Sequence, residues 1–240
     1  MYDLKKGTLK FLLNSTIDTN CTMTNMKHWG KSTSDACSLC RGKETTHHIL
    51  SNCSVSLQSD RYTWRHNNII NYLTMNVDRK YRTYSDLEGH KTPDGGTIPP
   101  EICITPQKPD LVVIDETTKT INLFELTVPD IRNINIRNKD KEDRYTHFLT
   151  DMTGYKCYLT CFEISTLGYI SERNMSNLHT LHKFMKPGIK LSKFKQNISA
   201  LSVYSSFHIF LCRKEQTFFQ PPYLSPPFED RSRPNTGPGQ

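Results

Sequence analysis

The chain has 240 residues, and its 31 lysines and arginines outweigh 24 acidic residues to give a formal net charge of +7. This length suits one or two domains, and the charge fits a polyanionic partner, above all nucleic acid, as well as it fits an ordinary basic surface. No apolar run approaches the roughly 20 residues of a membrane helix, and Lys10 interrupts the run Leu9–Leu13. We therefore expect neither a membrane span nor a secretory signal.

The first half of the chain divides by composition into three segments. Residues 1–34 are polar and weakly periodic, and residues 35–55 hold a cluster of cysteines and histidines. Residues 56–106 are predicted to form a helical linker and a loop. Apolar residues recur at helical spacing over Asp60–Leu73, whereas repeated prolines and glycines from Arg82 to Pro106 predict a long loop.

The second half is predicted to form one α/β domain over residues 107–215. Asp110–Asp115 and Thr120–Val128 have the composition of two strands joined by a short polar turn, and a hairpin is their simplest pairing. The β-branched and aromatic run Lys156–Ile164 predicts a third strand. Helices are predicted over 133–152, 175–185 and 191–212, and the Pro-rich segment 220–240 is predicted to be disordered.

The segment 35–55 has the ligand spacing of a zinc site. The sequence CSLCRGKETTHHILSNC sets Cys37, Cys40, His48 and Cys53 in the pattern C-x2-C-x7-H-x4-C, which suits a closed tetrahedral shell. Spacing alone does not choose between His48 and its neighbour His47. In a chain without a secretory signal, this spacing favours metal ligation in a reducing compartment over disulfides. A zinc module here would bind nucleic acid or stabilise the next domain. The alternative to a zinc site is a loop of unrelated thiols and imidazoles.

Two acids stand at the edge of, or inside, the apolar strands of the predicted hairpin. Asp110 opens the first strand, and Glu125 lies within the second between Phe124 and Leu126. A buried carboxylate must be paired, hydrogen-bonded or metal-bound. If the strands pair, both acids converge on one end of the sheet, where they would bind Mg²⁺ or Mn²⁺. Pairing of Glu125 with a nearby arginine is an equally good interpretation.

Hydrolysis of a phosphodiester at such a pair of acids usually needs a positively charged side chain in addition to the metal ion. The common position for a lysine, two residues after the second acid, is occupied by Thr127. Lys141 is a substitute, because in the predicted helix it lies on an apolar stripe that faces the sheet, whereas Lys139 lies on the opposite face. Alternatively, Lys141 extends past the edge of the core. The other members of the stripe are Ile134, Tyr145, Phe148 and Met152.

Together these motifs resemble the C-terminal region of non-LTR retrotransposon polyproteins, which carry a CCHC zinc knuckle followed by a restriction-like endonuclease. The resemblance covers roughly residues 35–215 and depends on the order of several motifs. They are the cysteine cluster, RYTWRHNNIINYL, KPDLVVID, FELTVP, the pair Lys141–Tyr145, CFEISTLGYI and SSFHIFLCRKEQTF.

The resemblance implies an α/β fold in which a small zinc knuckle precedes a PD-(D/E)xK restriction-endonuclease-like mixed sheet flanked by helices. It implies Mg²⁺-dependent nicking of target DNA and a location in the nucleus. DNA is the expected partner, and RNA is left open as an alternative. The knuckle ligands would be Cys37, Cys40, His48 and Cys53, the catalytic residues Asp110, Glu125, Lys141 and Tyr145, and the nucleic-acid contacts Arg65, His66 and Lys139.

The sequence also departs from the family. Asn67 stands where some relatives have an aspartate after the arginine and histidine, and no reverse transcriptase sequence precedes the knuckle. The chain is therefore expected to be a fragment of a degenerate element, the product of a mispredicted gene, or a retained piece with a new role. A catalytically decayed nucleic-acid-binding module and a zinc-braced protein-interaction domain are the alternative functions.

Overall fold

A computed structural model describes residues 4–134, 145, 152 and 154–226 of the chain. Its centre is a four-stranded mixed sheet with the order β1-β2-β3-β4, in which the first three strands are antiparallel and β4 runs parallel to β3. The hairpin and the third strand predicted from the sequence are confirmed. The strands are β1 (Arg82–Ser85), β2 (Leu111–Asp115), β3 (Thr120–Thr127) and β4 (Lys156–Glu163).

Strand β1 lies inside the segment that the sequence predicts to be a long loop, so that prediction is wrong for Arg82–Ser85. The strand is only four residues long, RTYS, and only one of them is buried. It forms because its backbone pairs with β2 at the edge of the sheet. Such pairing leaves no apolar period in the sequence.

The helices predicted over Asp60–Leu73, 175–185 and 191–212 are present, with ends shifted by a few residues. Two further helices lie in the N-terminal segment, for which no helix was predicted. Most of the helix predicted over 133–152 lies outside the described residues. The described helices of four residues or more in α conformation are α1 (Lys6–Thr16), α2 (Met23–His28), α3 (Ser54–Gln58), α4 (Arg61–Asn76), α5 (Glu172–His182) and α6 (Leu191–Leu211).

Helix α1 depends on tertiary packing. Only Thr8 and Phe11 of its residues are buried. The ring of Phe11 lies 5.2 Å from that of Phe207 and 5.3 Å from that of Phe210, both on α6. One anchoring aromatic residue is too little to give a periodic signal in the sequence, which is why this helix was missed.

Both faces of the sheet are covered, as expected for strands with nearly continuous apolar runs. On one face Leu111 and Phe124 pack with residues of α4, α5 and α6, in one buried cluster. On the other face Val112 and Leu123 pack with a second cluster that includes Tyr145. The fold is therefore mixed α/β with a sheet flanked by helices, which confirms the coarse fold class expected from the sequence.

The start of the Pro-rich C-terminal segment lies against α4. Trp64 Nε1 donates a hydrogen bond to the carbonyl of Pro221 at 2.9 Å, and the amide of Leu224 donates to Asn68 Oδ1 at 2.7 Å. Residues up to 226 thus have a defined place, although the sequence predicts disorder from residue 220 onwards. In the part of the chain that is described, no helix has both the length and the apolar character that crossing a bilayer requires.

Candidate functional site: a zinc cluster and an acidic edge

The sulfur and nitrogen donors of Cys37, Cys40, His48 and Cys53 converge, and all lie within 4.8 Å of one another. Cys40 Sγ is 3.1 Å from His48 Nε2. Three thiols and one imidazole are a donor set that tetrahedral zinc prefers. The residues predicted from the spacing therefore form a cluster that could hold zinc.

The turn between the first two cysteines is shaped by its backbone. The amide of Cys37 donates to the carbonyl of Gly42 at 2.6 Å, and the amide of Arg41 donates to the carbonyl of Cys37 at 3.0 Å. Arg41 has a positive φ of 65°, as the tight turn demands. A Cβ on Gly42 would lie 3.1 Å from His48 Cε1, so the glycine lets the imidazole approach the thiols.

The structure decides between the two adjacent histidines. His47 faces away from the cluster, and its Nδ1 lies 2.8 Å from Asp130 Oδ2, beyond the end of β3. Its Nε2 is hydrogen-bonded to Asn52 Nδ2. Neighbouring residues of a helical turn point about 100° apart, so only one of the two can reach the thiols. His48 is the ligand candidate, and His47 joins the zinc module to the sheet.

Burial acts to raise the pKa values of Cys37 and Cys53 and to lower that of His48. It raises the pKa of Cys37 to about 11. Burial acts to raise the pKa of Cys53 as well, but hydrogen bonds from Ser56, Cys40 and Cys37 together outweigh it, so this pKa is lowered. Burial lowers the pKa of His48, which favours the neutral imidazole. Neutral imidazole and thiolate are the forms that bind zinc, so the shifts at Cys53 and His48 favour ligation, whereas the shift at Cys37 opposes it.

Asp110 and Glu125 meet at one end of the two central strands, β2 and β3, and this end of the sheet is the acidic edge. The amide of Asp110 donates to Glu125 Oε1 at 3.1 Å, and the amide of Leu126 donates to Asp110 Oδ2 at 2.8 Å. Glu125 is only 3% exposed, whereas the side chain of Asp110 is 17% exposed. Each carboxylate is thus held by the backbone of the opposite strand.

The two acids lie on the same face of the sheet. The hairpin register pairs Leu111 with Phe124, and its extension by one residue places Asp110 opposite Glu125. Alternation along the strands puts both acids on the face that carries Val112, rather than on the face of Leu111. The sequence-based expectation required this arrangement, because acids on opposite faces do not share a ligand.

A third acid, which the sequence analysis did not single out, ends the neighbouring strand on this face. Glu163 is fully buried, and the parallel register pairs it with Thr127. Thr127 occupies the position where a lysine was expected, two residues after Glu125. The signal in the sequence was an acid at the end of the apolar run CFEI, the same signal that identified Glu125.

His66 reaches this edge from α4. Its Nε2 lies 3.2 Å from Asp110 Oδ2, and its Nδ1 lies 3.0 Å from Asn67 Oδ1. A histidine that contacts a carboxylate can fix the orientation of that carboxylate. Helix α4 therefore belongs to the acidic edge, although sequence analysis assigned it to a linker.

Arg65, the other residue of this basic motif, has a different place. It is 2% exposed, and burial lowers its pKa to about 10. Its Nη1 donates to the carbonyl of Leu50 at 2.9 Å and to Ser206 Oγ at 3.3 Å, and the guanidinium lies 5.3 Å from the ring centre of Tyr62. Arg65 was predicted to contact nucleic acid. In the structure it is buried, and its hydrogen bonds connect the zinc module to α6.

Of the remaining predicted site residues, Tyr145 is described by the structure and the two lysines are not. Tyr145 is 3% exposed and packs in the cluster on the sheet face that carries the acids. Lys139 and Lys141 lie outside the described residues. Within residues 4–134, 145, 152 and 154–226, the zinc cluster is the only group of three or more potential ligands that meet this closely.

No model of a known protein family matches this chain, and no curated protein is significantly similar to it.

Proposed function

We propose that the chain is a metal-dependent DNA endonuclease domain braced by zinc, and that it corresponds to the C-terminal region of non-LTR retrotransposon polyproteins. The observation that carries this proposal is the meeting of Asp110 and Glu125 on one sheet face, each held by the opposite strand. Such a domain would act on genomic DNA and would work in the nucleus.

The acidic edge fits a hard divalent cation. Two carboxylates at the same edge supply the oxygen donors that Mg²⁺ and Mn²⁺ prefer, and backbone amides fix their orientation before a metal arrives. Mg²⁺ often keeps several waters and binds through one or two carboxylates, so two protein ligands suffice. When bound there, the cation would polarise the scissile phosphate and lower the pKa of a bound water.

The residues of the chain would then have distinct tasks. Asp110 and Glu125 hold the cation, and His66 orients Asp110 from α4. We assign to Lys141 the stabilisation of charge on the phosphate oxygens, and to Tyr145 the orientation of that lysine. Lys139 would contact the DNA backbone, which makes binding sensitive to salt.

Nicking of supercoiled plasmid with Mg²⁺ or Mn²⁺ tests this proposal. We expect Asp110→Asn and Glu125→Gln to lower the nicking rate by about 100-fold or more, because each removes a ligand charge. Asp115→Asn is the matched control, since Asp115 is the last residue of β2, at the opposite end of the strand from Asp110, and its Oδ1 accepts the amides of Thr117 and Thr118. Equal nicking by wild type and both site variants, all shown to be folded, would reject the assignment.

A second candidate function is a nucleic-acid-binding module without catalysis. Two departures from the family favour it: Thr127 stands in the position of a lysine, and Asn67 follows His66. This candidate predicts salt-dependent binding of DNA or RNA and no nicking with any divalent cation. Binding by anisotropy together with the plasmid assay therefore separates the two functions.

A further inference from the structure

A rigid loop follows β4 on the side of α6. The amide of Gly168 donates to the carbonyl of Ser165 at 2.8 Å, and the amide of Tyr169 donates to Ser165 Oγ at 2.9 Å. Ser202 Oγ of α6 donates to the carbonyl of Ser165 at 2.7 Å. The loop is thus closed on itself and fastened to the helix.

Gly168 lets this loop press against α6. Its φ of +77° is unfavourable for other residues, and a Cβ would lie 2.7 Å from the carbonyl oxygen of Ser199. The next residue, Tyr169, is nevertheless 50% exposed. A large aromatic side chain is therefore displayed to solvent by a backbone that has little freedom to withdraw it.

Tyr169 lines a groove of about 610 Å³ between this loop, α5 and the start of α6. Lys193 and Lys195 line the same groove. Among the described residues, their amines contact only neutral groups, Gln196 Oε1 at 3.3 Å and Met175 Sδ at 3.8 Å. The two positive charges are thus available to an anionic ligand.

The segment that leads into and begins α6 is strongly basic. The segment 183–195 contains five lysines and no acid. In the described part of the chain, none of these lysines forms an ion pair with a carboxylate. The first turn of α6, a helix of 21 residues, adds the partial positive charge of its N-terminus. The five lysines are Lys183, Lys186, Lys190, Lys193 and Lys195.

We propose that this groove binds single-stranded nucleic acid, with Tyr169 stacked on a base and Lys193 and Lys195 on the phosphates. An exposed aromatic side chain beside unpaired lysines is the combination that single-strand binding proteins use. A duplex buries the faces of its bases within the helical stack, so it does not offer them to Tyr169. The shared ligand is an unpaired base with its phosphates, from DNA or RNA.

The groove is a site separate from the acidic edge. It is built by α5 and α6, which pack on the sheet face that carries Leu111. Asp110 and Glu125 lie on the other face. The loop is linked to the end of β3 by the amide of Thr166, which donates to the carbonyl of Pro129 at 2.9 Å. Binding of a single strand in the groove needs no divalent cation, so this proposal does not depend on the nuclease proposal.

Fluorescence anisotropy with labelled oligothymidylate, oligouridylate and a duplex, all without Mg²⁺, tests the proposal on the full chain. We expect Tyr169→Ala to weaken binding of a single strand by about 5- to 100-fold and Tyr169→Phe to preserve it. The double variant Lys193→Gln/Lys195→Gln should reduce the salt slope by about 1.4, at about 0.7 per lost phosphate contact. The controls are Tyr158→Ala, an exposed tyrosine on β4, and Lys6→Gln/Lys10→Gln on α1.

Selective weakening on oligothymidylate identifies DNA as the ligand, selective weakening on oligouridylate identifies RNA, and equal weakening supports both sources. The proposal is overturned if folded Tyr169→Ala binds both single strands as tightly as wild type. It is also overturned if the two control variants lose as much affinity as the groove variants. Plasmid nicking by Tyr169→Ala is scored separately, because loss of single-strand binding does not require loss of the acidic site.

Discussion

Asp110 and Glu125 are joined across the hairpin by a hydrogen bond from the amide of Asp110 to Oε1 of Glu125 at 3.1 Å. The amide of Leu126 returns a bond to Asp110 Oδ2 at 2.8 Å. These two hydrogen bonds explain why the apolar strands tolerate acids, because each carboxylate accepts a hydrogen bond from the backbone of the opposite strand. It also fixes the two groups that the proposed nuclease needs.

The zinc cluster gives a prediction about two neighbouring residues. His48→Ala should abolish stoichiometric zinc binding and unfold the module, whereas His47→Ala should retain bound zinc, because only His48 faces the thiols. Zinc content by elemental analysis of purified protein measures both. The Co²⁺ spectrum of the His47 variant should show unchanged ligation. Retention of zinc by His48→Ala and its loss from His47→Ala would contradict the assignment.

Arg65 is predicted to matter for stability rather than for nucleic-acid affinity. Arg65→Met should lower the free energy of unfolding by about 2–4 kcal/mol, because the buried carbonyl of Leu50 and the hydroxyl of Ser206 lose a charged donor. Urea denaturation at fixed zinc concentration measures the change. The control Arg173→Met, at an exposed position of α5, should change it by less than about 0.5 kcal/mol. Equal losses of unfolding free energy in the two variants would contradict a stabilising role of the buried Arg65.

His66 should influence the metal requirement of nicking. Because its Nε2 lies 3.2 Å from Asp110 Oδ2, His66→Ala removes one contact that orients the carboxylate and leaves the hydrogen bond from the amide of Leu126. We expect the Mg²⁺ concentration for half-maximal nicking to rise about 10-fold, as for other residues that orient a metal ligand. A titration of rate against Mg²⁺ measures this, with His179→Ala on α5 as the control. A lower maximal rate at an unchanged Mg²⁺ midpoint would show that His66 acts in some other way.

Glu116 gives a prediction about pH at the far end of the hairpin. Hydrogen bonds from Tyr155 first, and then from Lys119 and Arg82, lower the pKa of Glu116 to about 2 from an ordinary 4.5. A depressed carboxyl pKa stabilises the folded state above the unfolded pKa, and this stabilisation is lost as pH falls from about 4.5 towards 2.

Thermal denaturation of wild type and Glu116→Gln over this pH range tests the expectation. Glu116→Gln should melt at a lower temperature than wild type near neutral pH, and the difference should shrink as the solution is acidified. The effect should be small, because the side chain is 39% exposed and solvent screens its ion pairs. Glu88→Gln, at an exposed position, is the control. A difference that is constant with pH would show that the ionised carboxylate does not contribute.

Much of the architecture was predictable because it is encoded locally. The spacing of Cys37, Cys40, His48 and Cys53 identified the cluster, since a short turn can bring such residues together without the rest of the chain. Two apolar runs joined by a short polar turn predicted the hairpin, whose turn fixes its own register. Strand β4 was also readable from its composition, but its parallel pairing with β3 was not.

The tertiary structure alone decided which way particular side chains turn. His47 and His48 are equivalent in the sequence, and only the position of Asp130 shows that His47 is used for bracing. Arg65 and His66 form one basic motif, yet the first is buried beneath the zinc module and the second reaches Asp110. These outcomes depend on partners many residues away, because the packing of α4 against the sheet and α6 sets which atoms meet. Local spacing carries no information about such contacts.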